Sequence, residues 1–216
     1  MIHVLIAEQH TLMRSGIRRL LDDESDITVV AEAGHIEQVL ASVRLGKVDV
    51  LLMDVNLPGM DSLEATRRLL RVDDALKIVI LAVHASGPYP VHLFKAGIAG
   101  YLTRESTGEE LLTCVRKICR GQRHVGSDVA QTLLLDQIHE GETPLGCLTQ
   151  RELSVLVLLS QGHHRREISS KLSVSPKTIS TYRTRLMRKL GARSDVELTH
   201  LSLRHGLIGP MEERAG

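Results

Sequence analysis

The sequence predicts an α/β domain built on a doubly wound, five-stranded parallel sheet, followed by a smaller all-α domain. In the first part of the chain, five short apolar runs alternate with helical patterns, which is typical of a parallel sheet with helices on both faces. After a stretch rich in chain breakers at residues 141–146, only helical patterns remain. The chain has 216 residues, and common domains have roughly 100 to 150, so the length also favours two domains.

The predicted strands are short, continuous apolar runs, a pattern typical of strands that are buried on both faces of a sheet. They cover residues 3–7, 27–31, 48–53, 77–83 and 100–103. Between them, apolar residues recur three or four positions apart and predict helices that pack one face onto the sheet. The first of these faces consists of Leu12, Gly16, Ile17, Leu20 and Leu21.

Polar residues mark the beginnings of two helices in the first domain. Asp61 with Glu64, and Ser106 with Glu109, have the spacing of a capping box. In a capping box the two side chains accept hydrogen bonds from backbone N–H groups that the helix leaves unpaired. We therefore expect helices to begin directly after Asp61 and Ser106.

The second domain is predicted to contain four helices and no strand. The helices cover residues 149–161, 164–172, 176–190 and 194–205. Capping boxes are expected at Thr149 with Glu152 and at Ser194 with Glu197. The third helix has Pro176 at its first position and Gly191 at its end, which are the favoured places for these residue types. The predicted organisation is a domain at 1–121, a linker with a short helix at 122–147, a second domain at 148–208 and a tail at 209–216.

Composition excludes several classes of protein. The longest apolar runs, such as residues 50–53 and 78–83, are far shorter than the ~20 residues of a membrane helix, and the first residues do not resemble a signal peptide. Three cysteines without a C-x-x-C pair argue against a disulfide framework and against a zinc site. We therefore expect a cytoplasmic protein with free thiols and no membrane partner.

Charge is distributed unevenly along the chain. Residues 1–147 carry 15 Lys and Arg against 20 Asp and Glu, a net charge of −5, whereas residues 148–216 carry 12 against 6, a net charge of +6. A basic domain of this size suits a polyanion such as DNA, because Lys and Arg near phosphates release condensed counterions. A solvated basic face is the alternative that charge alone leaves open.

Asp54 is the candidate for chemistry in the first domain. It directly follows the predicted third strand, and functional residues of open parallel sheets lie at the carboxyl ends of the strands. A carboxylate in this place can be a nucleophile that accepts a phosphoryl group when a metal neutralises the oxygens. The alternative is an ordinary Asp that begins a loop.

The run DVNLPGMD at residues 54–61 and the run AGIAGYLT at residues 96–103 resemble the receiver domains of response regulators. The resemblance covers residues 2–120 and implies a fold like that of CheY and flavodoxin. It also implies that Asp54 is the phosphoacceptor, that a histidine kinase is the donor, and that Mg²⁺ binds beside it. The candidate Mg²⁺ ligands are Glu8, Asp54 and Asn56, although the magnesium site is weakened by the departures that follow.

The receiver pattern is altered at three positions of the pocket, which consists of Glu8, Gln9, Ala82 and Arg104 besides Asp54. Gln9 stands where receivers have a second acid, so the expected metal site loses one negative charge. Ala82 stands where receivers have a Thr or Ser hydroxyl, and Arg104 stands where they have a Lys. These departures leave two alternatives open, a receiver that is switched by phosphorylation and a pseudo-receiver that works without it.

The spacing of residues 167–190 predicts a helix-turn-helix, with a short helix, a tight turn at 173–175 and a longer basic helix. Ile179, Tyr182, Leu186 and Leu190 form its apolar face, which we expect to point inward. Short polar and basic side chains cover the rest and suit a major groove, where Ser and Thr reach bases and Lys and Arg hold phosphates. The candidate DNA-binding residues are Lys177, Ser180, Thr181, Arg183, Thr184, Arg185 and Arg188.

Residues 148–208 resemble the LuxR-type DNA-binding domain, and together with the receiver they identify the chain as similar to the NarL/FixJ class of response regulators. The runs SPKTISTYRTR at 175–185 and SDVAQ at 127–131 are most similar to the GacA/UvrY subfamily. This resemblance implies a sensor kinase of BarA/GacS type as partner, promoter double-stranded DNA as target, and a homodimer that associates through the helix at 194–205.

The leading hypothesis is a transcription regulator of a two-component system, a phosphoprotein whose receiver gates the helix-turn-helix through Asp54. The alternative is an atypical regulator that acts independently of phosphorylation. An enzyme that uses Asp54 as a nucleophile, like haloacid-dehalogenase-type hydrolases, needs a second Asp two residues later. This chain has Asn56 there, so we predict that it is not an enzyme.

Overall fold

The computed structural model describes residues 1–83, 89–127, 129–130, 145, 147–172, 174–205 and 207–208. These residues belong to two compact units, one built around a parallel sheet and one built from helices. The first unit contains β1 (Ile2–Ala7), α1 (Thr11–Asp22), β2 (Ile27–Ala33), α2 (Ile36–Arg44), β3 (Val50–Asp54), α3 (Ser62–Val72), β4 (Lys77–Ala82), α4 (Tyr89–Ala96), β5 (Gly100–Thr103), α5 (Gly108–Cys119) and β6 (His124–Val125). The second contains α6 (Gln150–Ser160), α7 (Arg165–Leu172), α8 (Pro176–Leu190) and α9 (Asp195–Arg204).

The sheet is parallel throughout, with the strand order β2-β1-β3-β4-β5-β6. The order reverses between β1 and β3, so the connections that leave these two strands run in opposite directions and open a crevice at their carboxyl ends. Ala7 of β1 pairs with Met53 of β3. The register therefore brings the residues that follow β1 and β3 to the same edge of the sheet.

The core of the first unit is aliphatic, as the low aromatic content requires. β3 is buried along its whole length, and β1 and β4 are buried over most of theirs, which explains why these strands are continuous apolar runs. One layer of the core lies between the sheet and the helices α1 and α5. It includes Ile6, Leu21, Leu52, Leu102 and Val115.

The sheet has six strands, one more than the sequence predicted. His124 and Val125 form β6 and pair in parallel with Gly100 and Tyr101 of β5, inside the stretch that was predicted to be a linker. Two residues are too few to show a periodic pattern, so this strand depends on the free edge that β5 offers. The short helix predicted for the linker lies mostly outside the described residues.

The helix face predicted for α1 is wider than the face that is buried. Ile17 and Leu21 are buried, but Leu12 is 88% exposed and Leu20 is 41% exposed. Residues four apart lie above one another on a helix, so a helix that rests on a sheet buries a narrow stripe. Leu12 and Leu20 share the apolar spacing but lie beyond this stripe.

The N-caps predicted at Asp61, Thr149 and Ser194 are confirmed, and the one predicted at Ser106 is displaced. Asp61 accepts a hydrogen bond from Glu64 N, and α6 begins with a complete capping box of Thr149 and Glu152. Ser194 caps α9 by accepting from Glu197 N, but the Glu197 side chain accepts from Arg193 N, so one half of the predicted capping box is replaced. Ser175 caps α8, which ends at Gly191 in the left-handed conformation. The cap of α5 is Thr107 rather than Ser106, and it accepts from Glu110 N. Ser106 with Glu109 and Thr107 with Glu110 both have the spacing of a capping box. The sequence pattern therefore fits either residue as the cap.

The second unit is a bundle in which α6 contacts each of the other three helices. Seven consecutive residues of α6, from 152 to 158, are buried, because a helix that is enclosed on several sides has no solvent face. Ile168, Leu172, Ile179, Leu186 and Leu198 complete the core. Across the part of the chain that the structure describes, every helix is too short or too polar to cross a bilayer.

Candidate functional site

The crevice at the carboxyl ends of the strands contains two buried carboxylates. Glu8 directly follows β1, Asp54 ends β3, and neither side chain is exposed. Arg104, which follows β5, places Nη2 3.1 Å from Glu8 Oε2 and 3.1 Å from Asp54 Oδ2. One guanidinium nitrogen therefore bridges the two acids, and the structure brings together three of the residues predicted for the pocket.

His10 is a fourth member of this cluster, and sequence reasoning missed it. Its backbone N–H donates to Glu8 Oε1 at 2.8 Å, and its ring Nδ1 lies 2.6 Å from the same oxygen. Both oxygens of Glu8 are thus engaged, one by His10 and one by Arg104. The sequence clue to this contact is that His10 comes two residues after Glu8. A bend at the end of β1 turns the His10 side chain back toward the acid.

Burial makes the charge on Asp54 unfavourable. The pKa of Asp54 is raised to about 6, first by burial and then by the nearby charge of Glu8. Arg104, the N–H of Asn56 and His10 act in the opposite direction but do not cancel these effects. The pKa of Asp54 therefore lies only about one unit below neutral pH. When Asp54 is ionised, the positive charge of Arg104 partly compensates its negative charge.

The predicted magnesium ligands are only partly brought together. One ligand atom each from Glu8, His10 and Asp54 lies within 4.8 Å of the others, so two of the three predicted residues meet. The contact of Asn56 with Asp54 is made by its backbone N–H, 3.2 Å from Oδ1, which is a donor and not a metal ligand. Mg²⁺ requires close octahedral oxygen geometry. Two carboxylates that already share a guanidinium, with an imidazole as third group, do not fit that requirement.

Gln9 and Ala82 add no charge or hydroxyl to the pocket. Gln9 lines a different cavity, together with Arg14, Glu32 and Gln38. The buried methyl side chain of Ala82 has no hydrogen-bonding atom, and its backbone carbonyl accepts from Arg104 N at 2.8 Å. This backbone hydrogen bond holds the start of the β5–α5 loop against the end of β4 and positions Arg104 over the crevice.

In the second unit, α8 has one buried face and one exposed face. Ile179 and Leu186 are fully buried, and Tyr182 and Leu190 are half-buried, so the predicted inward face is confirmed. The exposed face contains Lys177, Thr181, Thr184, Arg185 and Arg188. These five lie on one continuous surface of the helix that begins at the Ser175 cap.

Three hydroxyl groups on α8 donate to the backbone of their own helix. Ser180 Oγ donates to Pro176 O, Thr181 Oγ1 to Lys177 O, and Thr184 Oγ1 to Ser180 O, each at 3.1 Å. Ser180 Oγ also accepts from Arg165 Nη1 of α7, at 3.4 Å. Arg165 is exposed beside the predicted residues, and sequence reasoning missed it because it lies on the preceding helix.

Arg183 differs from the other candidate DNA-binding residues. It is half-buried, and its Nε donates to Asp195 Oδ1 of α9 at 2.7 Å. The ion pair fastens the middle of α8 to the start of α9. The sequence places Arg183 in a run of basic residues, but the fold turns it toward an acid twelve positions later.

Comparisons with known proteins agree with both units. The family model described as response regulator receiver domain matches residues 4–116, and the model described as bacterial regulatory proteins, luxR family, matches residues 147–202. The response regulator UvrY of Escherichia coli is 43% identical over 96% of this chain and 96% of its own length. The response regulator GacA of Pseudomonas aeruginosa is 41% identical over 96% of this chain and 98% of its own length.

Solved structures show the same architecture. The RcsB response regulator of Salmonella typhimurium has a TM-score of 0.75 and 25% identity, over 92% of this chain and 95% of that one. A second structure, of RcsB from Salmonella enterica serovar Typhimurium bound to a promoter in the presence of phosphomimetic BeF3⁻, has the same TM-score and identity. The matches span both units in their order along the chain. The chain therefore belongs to the DNA-binding response regulators that join a receiver domain to a LuxR-type helix-turn-helix domain, and it is similar to UvrY and GacA.

Proposed function

We propose that this response regulator binds promoter DNA through the exposed face of α8, and that its receiver acts without phosphorylation of Asp54. The observation that supports the second part is the bridge that Arg104 forms between the buried carboxylates of Glu8 and Asp54. The guanidinium partly compensates the charge of Asp54 from within the protein, in the place where a phosphoryl group and a metal ion would otherwise meet the carboxylate.

Several features of the pocket oppose phosphorylation of Asp54. The side chain of Asp54 is fully buried, and Arg104 would have to move for a phosphodonor to reach Oδ2. Ala82 has no hydroxyl to bond a phosphoryl oxygen, and Gln9 has no charge with which to hold a metal. A phosphoryl group on Asp54 would also stand beside Glu8, whose negative charge already disfavours ionised Asp54.

The test is to restore the receiver pattern and compare. The wild-type chain and a repaired variant, Gln9→Asp with Ala82→Thr and Arg104→Lys, are incubated with Mg²⁺ and acetyl phosphate, and their intact masses are measured. We expect the repaired variant to gain the mass of one phosphoryl group and the wild-type chain to gain none. Adding Asp54→Ala to the repaired variant should abolish the gain, which identifies Asp54 as the acceptor.

A second candidate mechanism keeps phosphorylation, with a sensor histidine kinase of BarA/GacS type as donor. It is favoured by the retention of Asp54 at the carboxyl end of β3 and by the similarity to proteins called response regulators. A mass gain in the wild-type chain that is lost in Asp54→Ala, together with tighter DNA binding, would establish this mechanism and overturn the first.

The DNA contacts are proposed from exposure and chemistry. Lys177, Arg185 and Arg188 would hold phosphates or guanine edges, while Thr181 and Thr184 would lie near bases. A homodimer is proposed to form through α9, where the large apolar side chain of Val196 is 64% exposed. Sedimentation of the chain with and without Val196→Glu measures this association, and an unchanged sedimentation coefficient in the variant would contradict a dimer through α9.

The proposed domain limits follow the folded elements. The first domain extends through β6 to Val125, beyond the predicted limit of 121, because β6 belongs to the sheet. The second covers residues 148–208.

A further inference from the structure

We propose that Thr181 and Thr184 make α8 a reader of A·T base pairs, through their methyl groups and through hydroxyl oxygens that can accept but not donate. This inference rests on the proposed DNA binding by α8 and specifies the bases that it recognises. It begins from the two hydrogen bonds that these side chains make to the backbone of their own helix.

Each threonine hydroxyl has a single proton, and in both residues that proton is committed. Thr181 Oγ1 donates to Lys177 O, and Thr184 Oγ1 donates to Ser180 O. Bonds of this kind, from a residue to the carbonyl four positions earlier, lie along the helix surface. An incoming base therefore meets a lone pair on the oxygen and the methyl group, and no O–H donor.

This leaves guanine without a partner at either position. In the major groove guanine presents only acceptors, N7 and O6, which a group without an available proton cannot bond. Adenine presents the N6 amino donor, and its partner thymine presents the C5 methyl group. An A·T pair thus offers a donor for the hydroxyl oxygen and an apolar group for the methyl, whereas a G·C pair offers a donor on cytosine but no methyl group.

The exposure of the two residues agrees with this role. Thr181 and Thr184 are both exposed, and they lie three positions apart on the face that also carries Lys177 and Arg185. A side chain this short contacts a base only when the helix lies deep in the groove, and the flanking cations can hold the helix there through the phosphates. The cations have N–H donors and are the groups on this face that can bond guanine.

Ser180 lies on the same helix as the two threonines but differs from them in its contacts. Its hydroxyl donates to Pro176 O as the threonines donate to theirs, but it also accepts from Arg165 and has no methyl group. It is therefore a positioning residue for Arg165. Because Ser180 has no methyl group, Ser180→Ala should leave the ratio between the thymine and uracil affinities unchanged even if it weakens overall binding, and it serves as the matched control for that ratio.

The experiment uses deoxyuridine, which differs from thymidine only by the absence of the C5 methyl group. The full chain selects duplexes from a random double-stranded DNA pool, and the Kd for one enriched duplex is measured with each thymine replaced in turn by uracil. We expect at least one replacement to weaken binding roughly fourfold, which corresponds to one buried methyl group. Thr184→Ser or Thr181→Ser should bind the thymine duplex more weakly and lose its sensitivity to uracil at that position.

The valine variants complete the test. Thr184→Val and Thr181→Val keep a methyl group and should keep the sensitivity to uracil, and Ser180→Ala should show the same ratio of thymine to uracil affinity as the wild-type chain, whatever its overall affinity. An enriched duplex that is bound equally well with thymine and uracil throughout would overturn this inference and leave DNA binding intact. If no duplex is enriched and the chain shows no salt-dependent binding to DNA, the proposed function and this inference are both overturned.

Discussion

In the receiver pocket, one cationic side chain, Arg104, lies between two buried acids. Nη2 of this residue lies 3.1 Å from an oxygen of Glu8 and 3.1 Å from an oxygen of Asp54. A buried acid that shares a cation with a second acid is only partly compensated. The pKa of Asp54 is therefore raised to about 6 in spite of the ion pair, with burial as the largest cause.

The raised pKa predicts that ionised Asp54 destabilises the receiver. The pKa is about 6 in the folded chain and 3.8 as the reference value, so the folded state binds the proton more tightly. The stability contributed by the protonated carboxyl is complete below pH 4 and is lost as the pH rises through 6. Asp54→Asn cannot ionise, and we expect it to be more stable than the wild-type chain at pH 7.5, by up to about 3 kcal/mol.

Hydrogen exchange of the β1 and β3 amides in the full chain measures this effect locally. The difference between Asp54→Asn and the wild-type chain should shrink as the pH is lowered toward 4. Asp23→Asn, at an exposed position after α1, is the control and should change protection little at either pH. A variant that is less protected than the wild-type chain at pH 7.5 would show that the Arg104 bridge outweighs the burial of the charge.

Polar contacts between side chains join helices of the second unit, and one of them is fully buried. Ser160 at the end of α6 and Ser202 in α9 are both fully buried, and their hydroxyl oxygens lie 2.8 Å apart. Lys189 of α8 lies 2.7 Å from Glu152, the residue that completes the capping box of α6. Each contact joins one particular turn of α6 to one particular turn of another helix, and so favours a single alignment of these helices.

Removing one hydroxyl of the Ser160–Ser202 pair should be more harmful than its size suggests. Ser160→Ala leaves the Ser202 hydroxyl buried without its partner, and we expect a loss of about 1–3 kcal/mol in the free energy of unfolding. Ser160→Ala with Ser202→Ala should cost less than the sum of the two single changes. Urea denaturation of the three variants gives this coupling.

Ser170→Ala is the matched control for these variants, since Ser170 is an exposed serine of α7 that bonds only to the carbonyl of Arg166 among its described contacts. It should change the free energy of unfolding by less than about 0.5 kcal/mol. Strictly additive losses for the buried pair would mean that the two hydroxyls do not depend on each other.

At the scale of the whole chain, the charges are separated between the two units. The near-zero net charge of +1 conceals an acidic receiver and a basic DNA-binding unit. In the basic unit, the arginines of α8 differ in their surroundings. Arg185 and Arg188 are exposed on α8, whereas Arg183 is paired with Asp195 and half-buried.

This division predicts different salt dependences for two neighbouring arginines. Arg185→Ala should reduce the magnitude of the slope of log K against log salt concentration by about 1, because one phosphate contact is lost. Arg183→Ala should leave the slope nearly unchanged and should lower the thermal stability instead. Fluorescence anisotropy of a selected duplex over a range of salt concentrations measures both slopes. Equal reductions for the two variants would place Arg183 at the DNA as well.

The sequence by itself determined the two domain types, Asp54 at the end of its strand, and the two faces of α8. These features follow from patterns over a few consecutive residues, namely apolar runs, helical spacing and caps. The position of the α5 cap and the width of the buried face of α1 were misjudged, because local spacing permits more than one answer.

Only the tertiary structure decided which side chains meet. β6 exists because β5 has a free edge, and Arg104 reaches Glu8 across 96 positions and Asp54 across 50. Arg183 turns to Asp195, and Ser180 turns to Arg165, on different helices. Such contacts depend on how the helices and strands pack, because packing sets the distances between residues that are far apart in the chain. The order of residue types along the chain does not specify those distances.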